Sequence, residues 1–180
     1  MSTGYQIKNQ QGVYFLTFVI IDWVDIFIRR QYKDEIISSL KYCISDKGLE
    51  LFAYVIMTNH IHMICRAKEN FQLSDIVRDF KKYTANKLIE LMQKPFESRK
   101  WMMAHFSKAG EKNSRNAKFQ IWSQKNHAVE LLTPKITQQK LNYIHKNPVK
   151  AGFVARAEDY LYSSARNYAG LENLIEVIRI

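Results

Sequence analysis

Only two cysteines occur in the 180 residues, Cys43 and Cys65. They do not stand at metal-ligand spacing, so a cysteine-built metal site is excluded, and both read as small buried apolar residues. Long hydrophobic runs are missing as well. The longest near-continuous apolar stretch near the start, residues 13–21, is too short for the roughly 20 residues a membrane-crossing helix needs. The first residues lack the basic flank and apolar core of a signal peptide, so a cytoplasmic location is expected, without membrane attachment. No internal repeat is visible, and the length suits a single domain over residues 1–180. Acidic residues are in deficit: 17 Asp and Glu face 27 Lys and Arg, a net charge of +10. That excess favours a polyanionic partner, nucleic acid above all, without naming any chemistry. An apolar fraction of 47% places the chain among globular proteins.

Apolar residues supply the architecture. Residues 13–21, rich in β-branched and aromatic side chains, predict a buried strand. A helix follows over 30–45, with Ile36, Ile37, Leu40 and Cys43 at helical spacing and Gly48 just beyond its end. Residues 51–57 and 60–65 predict two strands joined by a turn at Thr58-Asn59. Ser74-Asp75 is expected to cap a long amphipathic helix reaching residue 93, closed by Pro95. Between 96 and 118 the pattern dissolves, and 107–118 is expected to be a mobile basic loop. A last strand falls within 119–132. Pro134 breaks it, a helix begins near Thr137 and ends at Asn147-Pro148, and residues 152–180 form an extension. The order strand, helix, strand, strand, helix, strand is that of an α+β, ferredoxin-like sandwich, an antiparallel sheet with helices on one face.

Two features carry chemistry. His60 and His62 are two apart on a strand, so both imidazoles project to one face and can converge on one divalent ion. Two solvated histidines would produce the same pattern. Tyr143 lies in the polar helix Lys140-Leu-Asn-Tyr-Ile-His-Lys-Asn-Pro-Val-Lys150, with Asn147 four residues on and so on nearly the same face. A phenol is a poor nucleophile unless a metal, a base or nearby cations favour phenolate; Lys140, Lys146 and Lys150 could supply part of that field. Tyr83, set among Lys81, Lys82 and Lys87, is the competing tyrosine.

The run Tyr54-Val-Ile-Met-Thr-Asn-His-Ile-His-Met-Ile64 resembles the paired-histidine block of single-tyrosine HUH transposases. Trp122 with His127, the run Tyr143-Ile-His-Lys-Asn-Pro-Val-Lys-Ala-Gly-Phe-Val154, and Asp159-Tyr-Leu-Tyr-Ser-Ser-Ala-Arg166 are similar to REP-associated tyrosine transposases. The resemblance implies an enzyme in which His60 and His62 hold Mg²⁺ or Mn²⁺ and Tyr143 attacks a phosphodiester of single-stranded DNA. The product would be a 5′-phosphotyrosine link and a free 3′ hydroxyl. It implies a hairpin or repeat-associated substrate and leaves a homodimer open. Relatives in the wider superfamily carry a glutamine where Asn147 stands, so two roles are open to Asn147: amide-oxygen metal ligand, or cap of the helix end. Arg166, Trp122 and His127 fit family positions without an assigned role.

The DNA path is expected along Arg78, Lys81, Lys82 and Lys87 of the long helix, Lys108, Lys112, Arg115 and Lys118 of the loop, and Lys146 and Lys150 beside the tyrosine. Three other readings compete. A protein of the same fold could bind and nick repeat hairpins without autonomous transposition. A metal-dependent hydrolase of another kind would need carboxylates that neither motif contains, and a metal-free basic binding module leaves the paired histidines unexplained.

Overall fold

The computed structural model describes residues 7–112, 118–124 and 127–180. The first strand, β1 (Tyr14–Val19), is followed by α1 (Arg30–Asp46) and the hairpin β2 (Leu49–Ile56) and β3 (His60–Ala67). Then come α2 (Leu73–Met92), α3 (Trp101–Glu111), β4 (His127–Glu130), α4 (Pro134–Lys150) and the short α5 (Ala165–Tyr168). The four strands form one antiparallel sheet in the order β2-β3-β1-β4. This is the ferredoxin-like α+β sandwich expected from the element order, with α1 and α2 on one face; α4 departs from the one-face expectation by lying on the other.

Strand alternation sorts the two faces. Phe18, Met63 and Cys65 point into an apolar layer shared with Leu40 and Cys43 of α1 and Ile76 and Phe80 of α2. Both cysteines are buried there as free thiols. Phe15, Thr17, His60 and His62 point to the other face, where α4 lies across β2 and β3. The β2–β3 turn is a tight hairpin, Met57 N–H donating to His60 O at 2.9 Å, so His60 is the first residue of its strand.

Several local expectations need correction. The long helix begins one residue before Ser74 without a side-chain cap of its own. The orphan N–H of Ser74 is instead satisfied at 2.9 Å by the side-chain oxygen of Gln10, a tertiary substitute for a local cap. The stretch 96–118 is not a continuous loop, because 101–111 forms α3 and buries Met102, Phe106 and Gly110. Those positions are four apart, but the third is a glycine, so the apolar stripe is not visible as a stripe. Gly110 is required by close approach: a Cβ there would stand 2.6 Å from the carbonyl oxygen of Lys118. Ahead of α3, the buried carboxylate of Glu97 accepts hydrogen bonds from Tyr32 Oη (2.8 Å) and from Arg99 N, Nε and Nη2 (2.8, 3.0 and 2.7 Å). Residues 113–117, including Arg115, lie outside the described part of the chain.

Helix α4 also differs at both ends. Pro134 opens it at the first position, where no N–H is needed, and Thr133 caps it by accepting from Ile136 N at 3.3 Å. Pro148 sits inside the last turn, and the helix stops only beyond Lys150, at Gly152 in the left-handed region (φ 76°). Asn147 is therefore an interior helical residue and does not cap the helix end. The 152–180 segment covers the β2 edge: Ile56 N donates to Tyr162 O, Ser164 N to Tyr54 O and Ile178 N to Leu51 O. Among the described residues, no helix is long and apolar enough to cross a membrane.

Candidate active site

The two histidines meet at the end of the sheet where β1 runs into a turn. His62 pairs with Thr17 and His60 with Val19, the last residue of β1, and the imidazole centroids are 4.7 Å apart. Each ring is held through Nδ1. Thr17 Oγ1 lies 2.9 Å from Nδ1 of His62, and Asn59 Oδ1 lies 2.7 Å from Nδ1 of His60. Asn59 is itself fixed, its amide nitrogen donating to Asp25 Oδ1 at 2.9 Å. The Asn59 oxygen only accepts, so His60 carries its proton on Nδ1 and presents its Nε2 lone pair; where the Thr17 hydroxyl accepts likewise, so does His62, and neither Nε2 has a partner among the described residues. Burial lowers the His60 pKa below its ordinary value, partly offset by Asp25. Burial, the neighbouring His60 and the Lys140 ammonium hold His62 at about 3. Both rings are therefore neutral at pH 7, the form that ligates a metal.

Helix α4 brings Tyr143 to this pair. Its ring lies 5.2 Å from that of His62 and 6.0 Å from Phe15, edge-on to both, and is 42% exposed. The ammonium groups of Lys140 and Lys150 each stand 5.9 Å from the Tyr143 ring, and Lys140 also covers Phe15 at 4.7 Å. The phenol is thus open to solvent on one side and flanked by two cations. Asn147 is half-buried one turn further on, with no side-chain hydrogen bond among the described residues. Lys146 is exposed on the same helix.

Among the described residues, no group of three or more His, Cys, Asp or Glu side chains converges as a complete metal cage. What the site offers is two neutral imidazoles and, one helical turn from Tyr143, an unpaired amide. That donor set fits a hard cation keeping open positions for water and substrate oxygens, and it does not fit a closed structural zinc site.

The cations of α2 sit elsewhere. Because α2 packs on the apolar face, Arg78, Lys82 and Lys87 lie in the layer opposite the histidines. Arg78 is engaged by Asp75 (2.6 Å) and Asp79 (3.0 Å), and Lys87 by Glu90 (2.8 Å). Lys82 and Tyr83 line a groove with Tyr42 and Asp79, on the α1 side. Lys81 turns inward, donating to Ser123 O at 2.9 Å, and burial lowers its pKa to about 8. On α3 and just beyond, Lys108 and Lys112 line a cleft with Asp22, His105 and Gln124. Lys118 is exposed next to Phe119.

Sequence reasoning passed over Thr17, Asn59 and Asp25, the residues that orient the imidazoles. Thr17 had a signal, as a hydroxyl inside an otherwise apolar strand. Of the motif residues without a role, Trp122 is buried and donates from Nε1 to Thr84 Oγ1 at 3.0 Å, and Arg166 binds the carbonyls of Glu158 and Glu172. His145, next to the motif tyrosine, places Nε2 3.0 Å from Ser164 Oγ and is held by burial at about 4.

Comparison with known proteins bears on the family and the fold. The chain is 28% identical over 164 residues to a REP-associated tyrosine transposase of Haemophilus influenzae, covering 91% of this chain and 85% of that protein. A solved REP-associated tyrosine transposase bound to a REP hairpin matches with a TM-score of 0.67 at 19% identity, covering 100% of this chain and 95% of that one, which shows a shared fold. Residues 13–118, a span that contains His60 and His62 and ends before Tyr143, match the family model described as "Transposase IS200 like", and the chain belongs to that family of transposases.

Proposed function

We propose that the protein cleaves and rejoins single-stranded DNA, with Tyr143 as nucleophile and His60 and His62 as ligands of Mg²⁺ or Mn²⁺. The observation that carries the reading is the position of the Tyr143 ring, 5.2 Å from His62 and between Lys140 and Lys150. A divalent ion held by the imidazoles would neutralise charge developing on the non-bridging phosphate oxygens. The protein's own residues do the rest. Thr17 and Asn59 hold the imidazoles with Nε2 outward, and Asn147 is available as a further oxygen donor. Lys140 and Lys150 lie beside the Tyr143 ring, and the phenolic proton passes to solvent as attack begins. The Tyr143 oxygen bonds to phosphorus and the P–O3′ bond breaks; the 3′ oxygen takes up a proton, leaving a 5′-phosphotyrosine. The ester energy is conserved, so the same path run backwards joins a new 3′ hydroxyl and no nucleotide cofactor is consumed.

The substrate class is a single strand flanking a hairpin. Family membership and the fold shared with a protein solved on a REP hairpin support it. The test is a denaturing gel of protein incubated with Mn²⁺ and hairpin-flanked single strands from its own genomic neighbourhood. Wild type is expected to give a covalent protein–DNA band, and Tyr143→Phe none, with hairpin affinity retained. Cleavage that persists in Tyr143→Phe without any adduct would make water the nucleophile and end the reading.

A further inference from the structure

The turn Ile21–Trp23, which follows β1, holds two consecutive non-glycine residues in the left-handed region, Asp22 at φ 53° and Trp23 at φ 57°. A bulky side chain there is a real outlier, and such strain persists only where the surroundings impose it. They do. Trp23 N donates to Ile20 O at 3.0 Å, and Trp23 O accepts from Asn59 Nδ2 at 3.3 Å. Asp22 Oδ2 lies 3.1 Å from Nε2 of His105 on α3. The result is an indole that is 60% exposed, its ring centroid 5.7 Å from that of His60 and roughly perpendicular to it. Core packing does not explain a tryptophan held in an unfavourable conformation with most of its surface in water.

The surroundings suggest what it meets. Beside the turn opens a cleft of about 620 Å³ lined by Asp22, His105, Lys108, Lys112 and Gln124 among others. An exposed aromatic ring next to a groove that carries lysines is how proteins engage single strands: bases stack on the ring and phosphates track the cations. A duplex would hide its base faces from the indole.

We propose that Trp23 is a stacking platform for a nucleobase next to the phosphate that reacts at His60, His62 and Tyr143, with the strand continuing into the cleft at Lys108 and Lys112. The inference rests on the single-strand reading above and adds to it the residue that sets the strand's position. Asn59 anchors the Trp23 carbonyl and also orients His60, which ties base placement to phosphate placement.

The test measures binding alone, without metal, so that it stands apart from the covalent chemistry. Anisotropy of a fluorescein-labelled, mixed-sequence single strand is compared with that of a strand of equal length built of abasic sites. Trp23→Ala is expected to weaken binding of the natural strand by roughly 5- to 100-fold, from the usual worth of one base–aromatic stack. Trp23→Phe should recover much of that loss. On the abasic strand, wild type and Trp23→Ala should bind alike. Trp23→Gly, which relieves the left-handed strain, should melt no lower than wild type while binding like Trp23→Ala. Equal binding of the natural strand by wild type and Trp23→Ala overturns the inference, as does a loss that is the same on the abasic strand. If either occurs while the Tyr143 adduct still forms, the inference fails and the proposed chemistry stands. A base-dependent loss in a protein that forms no adduct would mean the reverse.

Discussion

Helices α2 and α4 both read as basic in sequence, yet their charges are spent differently. On α2, Arg78 and Lys87 are engaged by acids of their own helix, and Lys81 is turned inward against Ser123. On α4, Lys140 and Lys150 make no ion pair among the described residues, and both stand over the Tyr143 ring. The tyrosines differ in the same way. Tyr83 is more exposed than Tyr143, but it lies on the helical layer opposite the histidines, with Lys87 5.8 Å from its ring. A count of cations along a helix therefore does not say how many are left to meet a polyanion. What matters is whether the acids that would neutralise them are in the same stripe, and α4 has none between Lys135 and Lys150.

The largest effect is expected at the imidazoles, which in the proposed mechanism make the α4 side the chemical one. His60→Ala and His62→Ala should each lower Mn²⁺ affinity in calorimetric titration by more than the 10- to 100-fold typical of losing an orienting partner alone. Strand cleavage should fall with it, and a titration unchanged by either substitution would remove the metal from the α4 face. Next in size is the cation contrast. Lys140→Gln with Lys150→Gln should weaken single-strand binding and flatten its salt dependence, by about 0.7 in the slope of log K against log salt per lost phosphate contact. Arg78→Gln with Lys87→Gln should leave the slope nearly as in wild type, since those charges are already paired. The opposite ranking would put the DNA on α2.

The smallest effect concerns how the two helices are docked. Burial holds His145 of α4 at about 4, against an ordinary value of 6.5. Between those values the unfolded chain binds a proton that the folded chain refuses. The stability is fully present above pH 6.5 and falls as pH drops toward 4, by at most about 1.4 kcal/mol per pH unit for this one group. Denaturant titrations across that window should show a shallower slope for His145→Gln than for wild type. The corresponding group on α2, Lys81, shifted from 10.5 to about 8, acts only in alkali; in the acid window His60 and His62 act too, so the reading is the difference between His145→Gln and wild type. Equal slopes for His145→Gln and wild type would mean the imidazole is not buried as described.

Much of this was legible in the chain, and the misses have physical causes. Strand alternation alone puts His60 and His62 on one face, and apolar periodicity locates α1 and α2 to within a residue or two. Thr17 and Asp25 were hidden because they are far in sequence from the residues they meet: Asp25 joins Asn59 and His60 in one hydrogen-bonded chain, and Thr17 reaches His62, only after the sheet closes. Helix α3 was hidden because Gly110 occupies a buried position where a large apolar residue would have announced it. The limits of α4 were misjudged because proline was treated as a stop. In the first turn it costs no hydrogen bond, and Pro148 is accommodated within the last turn. The strained Trp23 could not be read from sequence, because nothing but the backbone angle marks it.

The most direct test of the whole account is peptide mapping of the covalent complex after nuclease trimming. The nucleotide remnant is expected on the peptide carrying Tyr143, on the face where His60 and His62 sit. A remnant on the peptide carrying Tyr83 would place the chemistry on the opposite layer of the molecule and contradict the assignment.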